Sequence, residues 1–138
     1  MVTLTVSNSV ADEVGDMIGE GLDAYNAGEA GPYGEEALWV VARDAAGAVQ
    51  AGLKGKIEYS WLFVDWLWVS PARRRSGLGS RLLEKGEEVA REKGCIGAFL
   101  GSFTFQAPDF YKRQGYEEFG RLADFPPGHE MVWLKKSL

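Results

Sequence analysis

The nine residues Trp61 to Val69, WLFVDWLWV, constrain this chain more than any other stretch. They are apolar except for Asp65 and carry the highest β propensity in the sequence, so they predict the central strand of a sheet. Ser60 breaks the chain before them and Pro71 stops the strand after them. Glycines at 77 and 79 follow where a new helix starts. Leu78, Leu82, Leu83, Val89 and Ala90 form the buried stripe of that helix, Glu87 sits one turn before Arg91 as a supporting pair, and Gly94 ends it. The succession is strand, Gly-rich turn, helix.

The remaining elements fall around this unit. Residues 2 to 7 alternate and predict a short first strand. Ser9 then stands as the N-cap of an acidic amphipathic helix with Val10, Val14, Ile18, Leu22 and Tyr25 on one stripe. Residues 26 to 34, rich in Gly, Ala and Pro, read as a loop. ALWVVARD is a buried strand, AAGA its turn, and residues 49 to 59 the strand that pairs back. A strand at 96 to 101, a short helix near 107 to 114, and strands near 116 to 121 and 129 to 135 complete a mixed α/β order. Without repeats or a linker, residues 1–138 read as a single domain.

Composition removes several classes. One cysteine, Cys95, and one histidine, His129, make neither an internal disulfide nor a structural zinc site. No apolar run approaches the roughly 20 residues that span a bilayer, and MVTLTVSNSV has neither a basic start nor a long apolar stretch, so a soluble, cytoplasmic protein off the membrane is expected. Residues 1 to 50 hold nine acids and one base, and residues 51 to 138 hold eleven acids and fourteen bases. Arg73, Arg74, Arg75 and Arg81 crowd together in the second part. This points to a local anion site, since nucleic-acid binding calls for a basic face on a basic domain.

A helix start presents unpaired N–H groups with partial positive charge, and Gly77 and Gly79 lack the Cβ atoms that would hold a phosphate away from that backbone. No GxxxxGK[ST] is present, which excludes a P-loop, and the absence of GxGxxG disfavours a dinucleotide fold. The string VSPARRRSGLG, Val69 to Gly79, resembles the acyl-CoA-binding signature [QR]-x-x-G-x-[GA] of the GNAT family of N-acetyltransferases, met here by Arg74, Gly77 and Gly79 after a V-x-P. FQAPDFYKRQGY, Phe105 to Tyr116, resembles that family's second landmark, a helix carrying a tyrosine followed by a Gly-aromatic step.

The resemblance implies a mixed, mostly antiparallel sheet of six to seven strands flanked by helices. It also implies acetyl-CoA as co-substrate, with no metal. The cofactor diphosphate would rest on Arg74, Arg75, Ser76, Gly77, Leu78, Gly79 and Ser80, and pantetheine along Leu67, Trp68 and Val69 where the central strand splays from its neighbour. Tyr111 matches the tyrosine that many members use as general acid to the leaving thiolate. Gln106 stands where an asparagine is common, which leaves its contact with pantetheine in question. The acceptor would be a primary amine on a small molecule, and a homodimer is in keeping with the family.

A protonated amine has no lone pair, so the site must help it lose a proton, directly or through water. Asp65 is the leading base candidate, because period 2 puts it on the face of Leu67 and Val69, among Trp61, Phe63, Trp66 and Trp68. The bland reading of Asp65, that it anchors a cationic substrate or bonds a neighbouring strand, weighs as much, and one carboxylate could be both base and anchor. Tyr25, Asn26, Trp66 and His129 are acceptor-wall candidates, although Tyr25 completes the apolar stripe and reads more readily as core, and a solitary His129 more readily as a surface or hydrogen-bonded residue. Glu35 and Glu36 follow the loop that borders the substrate mouth but read as solvated carboxylates. Cys95 lies far from any base, so direct transfer is favoured over a cysteine intermediate. The expectation is acetyl transfer from acetyl-CoA to an amine. The rivals are an acyl-CoA-binding module without turnover, a protein N-acetyltransferase, and a nucleic-acid-binding domain using the arginine run.

Overall fold

The computed structural model describes residues 1–138, and the chain divides into two compact units, Met1–Tyr33 and Gly34–Leu138. The first unit is one helix, α1 (Asp12–Ala30), with its leading residues. Asp12 and Glu13 in its first turn suit the positive end of the helix dipole. Gly31 ends it with a left-handed φ of 78°, its N–H donating to the Ala27 carbonyl at 3.0 Å. The Tyr33 hydroxyl donates to Asp23.

Three expectations for this unit fail. Residues 2 to 7 form no strand, because alternation supplies a face without supplying a backbone partner. Ser9 is not the cap: Ala11 holds that position with no side-chain bond, and the Ser9 carbonyl instead accepts from the Ser7 hydroxyl at 2.8 Å. The helix also runs on through Asn26 to Ala30, where a loop was expected.

The second unit is a six-stranded sheet: β1 (Glu36–Arg43), β2 (Val49–Glu58), β3 (Trp61–Val69), β4 (Gly97–Phe103), β5 (Glu117–Ala123) and β6 (Glu130–Ser137), in the order β1-β2-β3-β4-β6-β5. All pairs are antiparallel except β3 with β4, which the helix α2 (Leu78–Glu92) joins as a crossover. A short α3 (Pro108–Arg113) precedes β5. Helix α2 packs on β1, β2 and β3, and α3 packs on β5 and β6. The core lies between the sheet and α2, with Leu38, Leu53, Leu62, Leu83, Leu100 and Leu134 at its centre. On β2 the buried residues Ala51, Leu53, Gly55 and Ile57 alternate with Lys54 and Lys56, as a strand covered on one face must.

Glu87 does not pair with Arg91. It is 2% exposed on the inner side of α2, where it accepts from the Tyr116 hydroxyl at 2.7 Å and from Lys136 Nζ at 2.8 Å. A buried carboxylate is stable only when partnered, and this one ties α2 to the turn after α3 and to β6. Burial and the Glu87 carboxylate push the Tyr116 phenol far above its ordinary pKa.

Candidate active site

Strands β3 and β4 pair only where Trp61 to Phe63 meet Gly97 to Phe99. Beyond Phe63 they part, and β3 keeps one edge of its backbone free. The gap is a cavity of about 660 Å³, lined by Asp65, Trp66, Trp68, Phe105, Gln106 and Tyr111 among others. A second cavity of about 500 Å³ opens at the start of α2, over Arg75, Gly77, Gly79, Ser80, Phe110 and Arg113. Leu67, Val69, Arg74, Ala107 and Tyr111 line both. The two spaces therefore meet at the free edge of β3 and the tyrosine.

The second cavity owes its chemistry to main chain. Pro71 to Arg73 make a single turn of 3-10 helix, Arg75 takes φ 62° and Gly77 φ 81°, and the first α-helical bond runs from Arg81 N–H to the Gly77 carbonyl at 3.1 Å. The N–H groups of Leu78, Gly79 and Ser80 precede that bond and have no carbonyl within the helix to take them. Nothing lies within 4 Å of where a Gly77 Cβ would stand, so this is open space for a ligand. At Gly79 a Cβ would meet Phe110 at 3.5 Å and Val69 at 3.7 Å, which shows how closely α2, α3 and β3 converge. Open amides with Arg73, Arg75 and Arg113 around them fit a diphosphate, and Leu67, Val69 and Phe110 fit the apolar arm behind it.

Three expected cofactor residues are engaged with other partners. Arg74 Nε donates to the Val69 carbonyl at 3.2 Å, bracing the end of β3, and the Ser76 hydroxyl donates to the Arg73 carbonyl. Gln106 lines the gap, but its Oε1 already accepts from the Phe103 N–H at 2.8 Å, which leaves only its amide N–H groups for a ligand.

Tyr111 packs edge-on between Phe110 and Tyr116, with ring centroids at 5.1 and 6.0 Å. Its carbonyl accepts from the Tyr116 N–H at 3.0 Å, so the buried Glu87, Tyr116 and Lys136 group also fixes the end of α3. Burial pushes the Tyr111 phenol up to about 12, so it holds its proton throughout the neutral range.

Asp65 does not share the face of Leu67 and Val69, as unbroken alternation would require. The β2–β3 register shifts so that Lys54 faces Trp66 while Gly55 faces Val64, leaving Asp65 as the extra residue of a β-bulge. The bulge inverts the alternation. Leu62 and Val64 point inward before it and Leu67 and Val69 after it, while Asp65, Trp66 and Trp68 lie on the exposed side. A carboxylate walled in by tryptophans is not observed: the Asp65 side chain is 41% exposed and pairs with Lys54 Nζ at 3.4 Å. Lys54 went unnoticed in the sequence. Its outward alternation on β2 was readable, but its register against Asp65 and Trp66 was not.

His129 sits in the turn before β6, its N–H donating to the Pro126 carbonyl at 2.9 Å and its ring against Phe105, centroids 5.0 Å apart. It reaches the rim of the gap through Phe105, which lines it. Tyr25 and Asn26 fall inside α1, and Tyr25 is exposed where a core residue was the alternative. Cys95 is buried and its thiol is pushed up by desolvation, which suits an inert core residue. The groove between α2 and β1, about 670 Å³, shares only Arg73 and Leu78 with the cavity at the start of α2 and does not reach Tyr111. No helix is long and apolar enough to cross a membrane.

Open amides at a helix start, a strand with a free edge and a protonated phenol between them are the arrangement that the resemblance to the GNAT family implies for an acyl-CoA site. The sequence profile described as the acetyltransferase (GNAT) family matches residues 16–116, and the chain belongs to that family as an acetyl-CoA-dependent acyltransferase. It is 45% identical over 93 residues to a blasticidin-S acetyltransferase of Streptomyces morookaense, covering 67% of this chain and 68% of that protein. It is 34% identical over 132 residues to the acetyltransferase Atu2258 of Agrobacterium fabrum, covering 95% and 96%. The crystal structure of an acetyltransferase from Bacillus cereus superimposes with a TM-score of 0.86 at 34% identity, covering 97% of this chain and 98% of that one.

Proposed function

We propose that this protein transfers the acetyl group of acetyl-CoA directly to a primary amine of a small, cationic molecule. The observation that carries the reading is the meeting of the two cavities at Leu67, Val69 and Tyr111. Cofactor entering from α2 and amine entering from the gap would face each other there. The match over residues 16–116 runs through both units, which supports reading residues 1–138 as a single domain. The likeness to a blasticidin-S acetyltransferase supports a small-molecule acceptor over a protein terminus.

In this reading the amides of Leu78, Gly79 and Ser80 hold the diphosphate, and the free edge of β3 at Leu67 to Val69 aligns the pantetheine arm. The amine lone pair attacks the thioester carbonyl, forming C–N, and C–S then breaks to release a thiolate. Tyr111 donates its hydroxyl hydrogen bond to that sulfur. A phenol at about 12 is roughly three units weaker as an acid than an ordinary thiol, so charge stabilisation outweighs outright proton donation. The ammonium gives up one proton to water before it attacks, and the nitrogen gives up a second as the intermediate collapses. That second proton reaches the thiolate sulfur by way of water, and Tyr111 keeps its own. Asp65, exposed and already holding an ammonium, serves to draw the cationic acceptor, and Trp66, Trp68 and Phe105 form the acceptor's side of the gap, with His129 behind Phe105 at its rim.

The test is an assay of free thiol released from acetyl-CoA across a panel of small amines, with the acetylated product identified by mass spectrometry. Amine-dependent thiol release supports the proposal. A protein that binds acetyl-CoA and releases no thiol with any amine would instead be the module without turnover.

A further inference from the structure

The exposed face of β1 to β3 carries Asp65 and Trp66 beyond the gap into a larger feature, with Trp39 and Lys54, that the acetyl-transfer step itself leaves unexplained. Trp39 on β1, Lys54 on β2 and Trp66 on β3 stand directly opposite one another in register. The Lys54 ammonium lies 4.2 Å from the Trp66 ring centroid and 5.9 Å from that of Trp39. The two rings meet edge to face, 6.1 Å apart. The bulge puts two successive residues, Asp65 and Trp66, on this one face, where the Asp65 carboxylate closes on the same ammonium at 3.4 Å. Two aromatic rings and a carboxylate around one nitrogen make a cation cage, since the negative face of each ring and the carboxylate all attract positive charge.

The cage also has room beside it. Asp65 lines the gap on one side and, on the other, a separate cavity of about 340 Å³ bounded by Glu35, Ala37, Lys54, Gly55, Lys56 and Phe63. The charges there are not balanced. Lys54 pairs with Asp65 and Lys56 with Glu58 at 3.5 Å, while Glu35 makes no ion pair. Lys54 and Asp65 are 35% and 41% exposed, and so open a pair is held loosely enough for an incoming cation to displace the lysine. Lys136, by contrast, is locked against a buried carboxylate.

We propose that the cage of Trp39, Trp66 and Asp65 is a distal recognition site that takes a second cationic group of the acceptor, an ammonium or a guanidinium, with Lys54 as its placeholder. The substrate class is then small dications, one amine reaching the thioester through the gap and the other charge held over Trp66. The inference rests on the acetyl-transfer reading above.

The experiment measures thiol release from acetyl-CoA with α,ω-diamines of increasing chain length, with agmatine, and with monoamines of matching length. The wild type should favour the best dication over its matched monoamine by at least about tenfold in kcat/KM, and Asp65→Asn and Trp66→Leu should bring the two to parity while the KM for acetyl-CoA stays put. Lys54→Met, which vacates the cage, should lower the KM of the dication. Equal kcat/KM for dication and monoamine in the wild type, or a preference that survives Asp65→Asn, overturns the cage and leaves acetyl transfer standing. Titration of tryptophan fluorescence with the same diamines reads the cage without turnover. Saturable quenching that Asp65→Asn abolishes supports it even if no amine is acetylated, and no quenching by any dication overturns it.

Discussion

The two faces of β3 are built for recognition in different ways. Toward α2 and α3 the ligand would meet main chain that side chains brace from behind: the amides that open α2, the Arg74 side chain on the Val69 carbonyl, and the group around the buried Glu87 carboxylate, with Tyr116 and Lys136, that fixes the end of α3. On the opposite side the contacts are exposed side chains, with Asp65, Lys54, Trp39 and Trp66 meeting across three strands. Main-chain donors cannot be retuned by exchanging a side chain, only blocked, whereas a side-chain cage changes its ligand with one substitution. The first arrangement suits a cofactor that is the same in every turnover, and the second an acceptor that sets the enzyme's identity.

The sharpest way to break this contrast is Gly77→Glu. A side chain there enters the open space before α2, adds a negative charge and strains a φ of 81°, so acetyl-CoA should no longer raise the melting temperature and thiol release should vanish. Gly77→Ser, which carries the backbone strain without the charge, should retain part of the shift. A full acetyl-CoA shift in Gly77→Glu would show that the diphosphate lies elsewhere.

Tyr111→Phe should lower kcat about 10²-fold and leave acetyl-CoA binding nearly unchanged, because the hydroxyl acts on charge that develops only as C–S breaks. The pH profile sharpens the point. With Tyr111 at about 12, its protonated form persists below that value, so the rate should climb as the amine deprotonates and show no alkaline fall below about pH 10. A descending limb that begins near pH 8 and disappears in Tyr111→Phe would contradict this ionisation.

On the exposed face the expected effect is smaller and of another kind. Asp65→Asn should raise the KM of a cationic acceptor about tenfold with kcat altered less than about threefold, as befits an anchor. A fall in kcat at unchanged KM would restore Asp65 as the base. Smallest of all, Tyr116→Phe takes one hydrogen bond from a buried carboxylate that keeps Lys136. It should cost about 2 kcal/mol, read as a lower urea midpoint at unchanged slope, and a stability equal to wild type would remove this group from the account of what holds α3.

Much of the buried side was legible in the sequence. The strand over Trp61 to Val69, the α2 stripe of Leu82, Leu83 and Ala90, the turn at Gly77 and the helix bearing Tyr111 follow from local spacing, and local spacing is what a sequence displays. What escaped depends on partners distant in the chain. Asp65 is parted from the face of Leu67 and Val69 by a bulge against Lys54 and Gly55 of β2, where a Gly55 Cβ would stand 3.0 Å from both Leu62 and the Phe63 carbonyl. Glu87 found Tyr116 and Lys136, 29 and 49 positions away, in place of a neighbour on its own helix. Alternation over residues 2 to 7 described a face with no partner strand behind it, and Ala27 and Ala30 in the expected loop are strong helix formers that extended α1.

The most direct test of the whole reading is a crystal structure with coenzyme A bound. The diphosphate should accept from the N–H groups of Leu78, Gly79 and Ser80, with the sulfur beside the Tyr111 hydroxyl at the free edge of β3. Coenzyme A seated in the groove lined by Arg43, Arg81 and Lys85, or a turn at Gly77 that holds no phosphate, would contradict it.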